Sequence, residues 1–143
     1  MTPEIDLAET KNCYCLAARR SARAITRLYE DKLRPHGLRA TQFTILAALC
    51  LMGPTPLGEL ASRLGLERTT LTRSAALLER NTWIDTIGSE DARERRLRVT
   101  PEGRQKIEEA FAAWKEAQEL VAQQVGSQHA LAPTLRPPEG PSA

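Results

Sequence analysis

Aromatic side chains are nearly missing from this sequence, with two Trp, two Tyr and two Phe among 143 residues. A core has to come from Leu, Ile, Val and Ala, and the abundance of Ala, Leu, Glu and Arg favours helices. Histidine is equally sparse, at two residues: His36 beside a helix stop and His129 in a proline-rich tail. No Ser-His-Asp set, metal-ligand spacing or glycine-rich phosphate loop can be assembled from them. The inventory therefore speaks against an enzyme, a bound metal or another cofactor. Long apolar runs are absent too: the longest, Ile45 to Met52, falls far short of the ~20 residues that cross a bilayer. The opening MTPEIDLAET is acidic and lacks the apolar stretch of a signal peptide, so a cytoplasmic location without a membrane partner is expected. In that compartment Cys13, Cys15 and Cys50 are expected as free thiols.

Excess charge is also lacking, the formal net charge being +2. Yet four of the six positions from Arg93 to Arg98 are arginine, and arginine makes up sixteen of the twenty basic residues. Guanidinium groups present a planar fork suited to phosphates and base edges. A cluster of them in a nearly neutral chain marks one place where anions are met.

The pattern along the chain sets that place. A helix without Pro or Gly is expected from about Leu7 to Leu33, stopped by RPHG at residues 34–37. Thr41 to Leu51 is apolar almost all round and reads as a buried helix. Leu57 to Leu64 forms a short amphipathic helix, Gly65 and Leu66 a tight turn, and Glu67 to Arg80 a third helix with Leu71, Leu77 and Leu78 inward. Two short helices joined at a glycine are the pattern of a helix-turn-helix. Trp83 to Ile87 and Arg95 to Thr100 then read as a hairpin, with Leu97 and Val99 on one face and Arg96 and Arg98 on the other. A long helix follows to about Val125, with Pro101 at its first turn.

The expected fold is mostly α with a small β-hairpin wing: a winged helix-turn-helix over residues 38–100, and dimerisation helices over 7–35 and 101–126. Residues 127–143 are expected to form an irregular proline-rich tail. In such a domain the second helix of the pair enters the major groove of double-stranded DNA. Its outward residues are Arg68, Thr69, Thr70, Thr72 and Arg73, types that read guanine, or offer a hydroxyl and methyl to thymine. Arg93, Arg95 and Arg96 at the hairpin are suited to the minor groove and the phosphates, with Asp91 as a brace aiming a guanidinium. A winged helix that binds protein instead is the alternative; basic Arg68 and Arg73 on the outward face argue against it.

The stretch PLGELASRLGLERTTLTRSAALLERNTWI followed by DARERRLRVTPEG resembles the MarR (multiple antibiotic resistance regulator) family of transcription factors. The family's wing pattern appears as Asp91, Arg93, Leu97, Val99, Thr100 and Gly103, and GLRATQFTILAAL also matches. The resemblance implies a homodimer on a pseudo-palindromic promoter site, usually repressing, and released by a small molecule or an oxidant. The family normally closes with a further helix that intertwines with the partner; here that region reads HALAPTLRPPEGPSA.

Two kinds of trigger suit these residues. One branch of the family senses organic hydroperoxides through a Cys near the start of the first helix, held by tyrosines. The spacing of Cys15 and Tyr29 resembles that branch, whereas Ala40 and Phe43 stand where it carries tyrosine. Fourteen helical residues span about 21 Å, so the two would meet only across a dimer. Cys13 and Cys15 on one helix would point about 200° apart and could not chelate together. Burial as small hydrophobes is the competing reading for Cys15 and Cys50. The second trigger is an aromatic or phenolic ligand between the first helix and the DNA-binding lobe, near Tyr14, Tyr29, His36, Arg39 and Phe43. Trp83 and Trp114 read as core or interface residues.

Overall fold

The computed structural model describes residues 3–88, 91 and 95–125. The first helix does not begin at Leu7. Asp6 turns its carboxylate onto the Ala8 N–H (3.0 Å) and Thr10 its hydroxyl onto the Leu7 carbonyl (2.8 Å). Such local side-chain bonds compete with regular helix, and Leu7–Asn12 coils as a 3-10 turn. Cys13 is extended (φ −73°, ψ 120°), and α1 runs from Tyr14 to Leu33. Pro35 lies in the short 3-10 turn Arg34–His36 that ends it.

Four further helices follow: α2 (Ala40–Met52), α3 (Leu57–Leu64), α4 (Arg68–Arg80) and α5 (Pro101–Val125). The start of α2 explains the buried polar Gln42, whose Oε1 accepts the Arg39 N–H at 2.9 Å. The apolar run of α2 is buried on most of its circumference, but Leu51 is 88% exposed, contrary to the all-round burial expected. Between α3 and α4, Gly65 is left-handed (φ 64°), and the Leu66 N–H reaches back to the Ala61 carbonyl at 3.0 Å. Only glycine takes that conformation without steric cost, and it gives the helix-turn-helix its tight corner.

The hairpin pairs β2 (Ile84–Ile87) with β3 (Arg96–Val99). A strand that the sequence pattern did not reveal, β1 (Thr55–Pro56), adds to the other edge of β3, giving the order β1-β3-β2. Two residues are too few to show a period of two. Leu97 pairs with both Thr55 and Thr86 and is buried, while Arg96 and Arg98 lie on the exposed face.

Leu33, Ile45, Leu46, Leu49, Leu60, Leu71, Leu78 and Ile84 form the fully buried centre. Each such side chain contributes roughly 1.5–3 kcal/mol of burial. In α4 the inward set is Leu71, Ala75 and Leu78, at i, i+4 and i+7; Leu77, expected inward, is 40% exposed. Leu71 and Leu78 already define the stripe, and Leu77 falls about 100° off it. No helix among the described residues is long and apolar enough to cross a membrane.

The Thr-x-x-Gly of residues 100–103 has a mechanical role. Thr100 Oγ1 accepts the Gly103 N–H at 3.0 Å and donates to the Thr82 carbonyl at 2.5 Å. The Thr100 N–H meanwhile donates to the Trp83 carbonyl at 3.0 Å. A Cβ on Gly103 would stand 1.9 Å from that carbonyl oxygen. The glycine lets α5 lie directly on the base of the wing.

Candidate nucleic-acid interface

The five outward residues proposed on α4 are all exposed, and they look in three directions. At about 100° per residue, Arg68 and Thr72 share a side one turn apart, Thr69 and Arg73 point straight out, and Thr70 turns to the flank of Leu77. The Thr72 hydroxyl donates to the Arg68 carbonyl at 2.8 Å, which leaves its methyl and its lone pairs available.

Arg68 and Thr72 face an open cleft of about 420 Å³ whose opposite wall holds Arg95 and Arg96 of the wing. The fold thus brings guanidinium groups from two distant stretches of sequence to one hollow. The start of α3, at Leu57 and Gly58, also lines the cleft. Glu79 also lines the cleft, and its carboxylate accepts the Thr86 hydroxyl at 2.5 Å. Glu79, Thr86 and the start of α3 were not foreseen. The signal for Glu79 was there, since it stands seven residues after Thr72 on the same side of α4.

The wing arginines do not all serve one end. Arg98 forms a two-pronged bond to Asp85 across the hairpin, at 3.0 and 2.8 Å. Its guanidinium holds the Asp85 carboxyl below the usual carboxylate range, and the carboxylate raises the guanidinium in turn. Arg98 is thereby committed to the hairpin, leaving Arg95 and Arg96 as the described wing cations that join Arg68 at the cleft. Asp91 is exposed; Arg93, which it was expected to brace, lies outside the described residues, as does the tail at 127–143.

Two apolar grooves open beside α2 and α5, remote from that cleft. One, of about 530 Å³, is walled by Ile25 and Tyr29 of α1, Phe43 and Leu51 of α2, and Trp114 and Gln118 of α5. Burial pushes the Tyr29 phenol up, and its hydroxyl donates to Gln118 Oε1. The other, of about 460 Å³, lies past the stacked rings of Phe43 and Trp114 (5.7 Å) and Trp114 and Phe111 (5.5 Å), and reaches Cys50. Of the ligand candidates, Tyr29 and Phe43 meet here. Arg39 lines a separate hollow with Glu30 and Arg34, Tyr14 is 93% exposed, and His36 lines neither groove. Trp114, read as core or interface, lines both, and Gln118 was missed although it stands one helical turn beyond Trp114.

The cysteines separate. Cys13 and Cys15 are exposed, against the burial reading for Cys15. Cys13 sits before α1 in extended backbone, so the opposed directions expected within one helix do not apply to the pair. Cys50 is half-buried; burial pushes its thiol up, which Arg104 opposes and Glu108 reinforces. A raised thiol is a poor nucleophile at neutral pH.

Comparison with known proteins follows the same geometry. The model of the MarR family matches residues 36–96, from the approach to α2 through the first residue of β3. An uncharacterized HTH-type transcriptional regulator of Bacillus subtilis, YwoH, is 37% identical over 89 residues, or 62% of this chain; the match spans 65% of that protein's length. The transcriptional regulator MosR of M. tuberculosis superposes with a TM-score of 0.75 at 33% identity, over 85% of this chain and 89% of that one. MosR in complex with DNA gives 0.73 at 37% identity, over 83% and 87%. Overoxidized AbfR bound to DNA gives 0.67 at 25% identity, over 82% and 90%.

Proposed function

The chain belongs to the MarR family of transcriptional regulators, and from that premise we propose that it is a cytoplasmic homodimer that represses by holding a pseudo-palindromic promoter site. The observation that carries this reading is the cleft where Arg68 and Thr72 of α4 face Arg95 and Arg96 of the wing. In the proposed complex Arg68, Thr69, Thr70, Thr72 and Arg73 meet base edges and phosphates of the major groove, and Arg95 and Arg96 neutralise the flanking backbone. Arg93 is assigned to the minor groove on the family pattern alone, with Asp91 beside it in sequence. Each copy supplies one α4, so the half-sites lie about 34–36 Å apart, one turn of the duplex. The DNA complex of MosR, at 37% identity, supports the DNA partner.

Release is proposed to follow occupancy of the Tyr29–Phe43–Trp114 groove by an aromatic or phenolic effector, or oxidation of the exposed thiols of Cys13 and Cys15 by a hydroperoxide. That AbfR is known both reduced and overoxidized on DNA makes the thiol arm worth testing beside the ligand arm.

Fluorescence anisotropy on the chain's own upstream DNA, against a scrambled duplex, tests the core of this. Selective binding that falls by roughly 10³-fold or more between about 50 and 200 mM salt is expected of a dimer on several phosphates. Equal, weak binding to both duplexes would overturn operator reading and favour a protein-binding winged helix. Cumene hydroperoxide added to wild type and to Cys15→Ser separates the triggers. Release lost in the variant assigns the thiol, and release by neither leaves the groove ligand as the trigger.

A further inference from the structure

Most of the large apolar side chains left exposed fall into two sets. Leu51 (88%) and Phe111 (52%) rim the grooves, and Ile5 (79%) and Leu7 (72%) stand at the N-terminus. Residues 4–7 read Glu-Ile-Asp-Leu, acidic and apolar in strict alternation. In extended backbone, such as Asp6 adopts (φ −87°, ψ 93°), alternate side chains point to opposite sides. Across the extended Asp6 this sets Ile5 and Leu7, where the 3-10 turn begins, on one edge and the Asp6 carboxylate on the other.

Along α1 the chain carries the complementary pair of surfaces. Ile25 belongs to the apolar groove with Phe43 and Trp114, and at Thr26 that groove adjoins a hollow of about 460 Å³ lined by Arg23, Arg27 and Arg34 together with Glu30, whose carboxylate accepts the Ala40 N–H. Arg19, Arg23 and Arg27 stand four residues apart and make one basic row. Among the described residues none of the three is in an ion pair.

We propose that residues 4–7 of one copy dock along α1 of a second copy, with Ile5 and Leu7 in the apolar groove and Glu4 and Asp6 against Arg23 and Arg27. Within one chain the segment is held elsewhere: twelve helical residues, about 18 Å, separate Tyr14 from Thr26, and no residue from 3 to 12 is buried. Asp6 already accepts the Ala8 N–H through one oxygen, and the other is available to a guanidinium. In a two-fold pair the exchange is reciprocal, so two segments fill two grooves. An apolar effector then has to displace the partner's segment, which couples groove occupancy to the pairing of the two copies. The proposal rests on the dimeric reading given above.

Cross-linking between single-cysteine chains tests it. In a Cys13→Ser, Cys15→Ser, Cys50→Ser background, one chain carries Leu7→Cys and the other Thr44→Cys; Thr44 is an exposed residue of the groove wall. Mixed and mildly oxidised, the two are expected to give a covalent dimer that pairs one of each. Arg23→Glu with Arg27→Glu in the Thr44→Cys chain should lower its yield roughly fivefold, the scale of exposed ion pairs. Glu4→Lys with Asp6→Lys in the Leu7→Cys chain should restore it. Sedimentation velocity run in parallel keeps two failures apart. A dimer that does not cross-link overturns the docking and leaves the dimeric reading standing; a monomer overturns both. A cross-link indifferent to charge reversal overturns the assignment of Arg23 and Arg27. Loss of cross-linking with a shallower salt dependence of DNA binding in Arg23→Glu, Arg27→Glu would reassign the row to phosphates.

Discussion

The lobe from α2 to β3 and the pair of long helices, α1 and α5, solve the burial problem differently. The lobe supplies most of the core, with Leu46, Leu60, Leu71 and Leu78 all at 0% exposure, and α1 and α5 add Leu33 and Ala110 to it. Of the twenty residues of α1, only Leu33 is buried, and α5 buries just Gly103, Ala110, Ala117 and Val121. Three of those four are Gly or Ala at seven-residue spacing, a narrow seam that seats a neighbouring helix closely but removes little apolar area from water. The long helices leave most of their residues exposed or only partly buried within the chain.

The sharpest way to break that division is at the joint. Gly103→Ala forces a Cβ against the Trp83 carbonyl, and the expected loss is about 3 kcal/mol or more, read by urea unfolding. DNA affinity should fall with it, because the wing must shift.

Next in size is a pair of truncations that pits the regions against each other. Leu71→Ala empties a fully buried site and should cost about 2–5 kcal/mol. Leu51→Ala, at a side chain 88% exposed in a single copy, should change stability by no more than about 0.5 kcal/mol where the chain is monomeric, and by more in the dimer, where the partner's segment covers the groove. Equal losses would mean that the exposed face is covered in the assembled protein.

Function should divide the same way. Arg73→Ala is expected to weaken operator binding by about 1–3 kcal/mol, five- to 150-fold by anisotropy, with the unfolding midpoint unchanged.

A smaller gain is expected from Thr82→Gly. Thr82 is the one non-glycine residue at positive φ among those described (62°). Relieving a β-branched side chain in that region should stabilise by about 0.5–1 kcal/mol, read as a raised Tm.

The smallest effect belongs to Asp85→Asn. The Asp85 carboxyl titrates below its ordinary value because of Arg98, so its contribution is present above the ordinary carboxylate range and fades as pH falls through the depressed value. Wild type should exceed the variant slightly in Tm at neutral pH. The difference should vanish in acid, and also near 1 M salt, where the screening length is ~3 Å.

Long periodic stretches were legible in the sequence. Helices α3 and α5, and the alternation of Leu97 and Val99 against Arg96 and Arg98, follow from apolar spacing and from Pro and Gly at the boundaries. These are local properties: each residue's preference is set by neighbours within a turn or a strand. Where local signals competed, the pattern misled. Leu77 and Ala75 are both plausible inward residues by period, and only the position of the stripe set by Leu71 and Leu78 decides between them. The 3-10 turn before Cys13 turned on side-chain bonds of Asp6 and Thr10 that a propensity scale does not contain.

By itself, then, the sequence determined which segments coil, where they stop, and that arginine is concentrated near the wing. Only the tertiary structure decided which arginines face the open cleft between α4 and the wing. Arg68 and Arg96 are 28 positions apart and share one cleft, while Arg98, two residues from Arg96, is taken by Asp85. Likewise Phe43 and Trp114 stack across 71 positions to shape the grooves, and Cys50, not Cys15, is the half-buried thiol. The physical reason is the same in each case. Periodicity fixes the side of an element on which a residue stands, but a contact needs a second surface at a set distance, and that surface comes from another part of the chain.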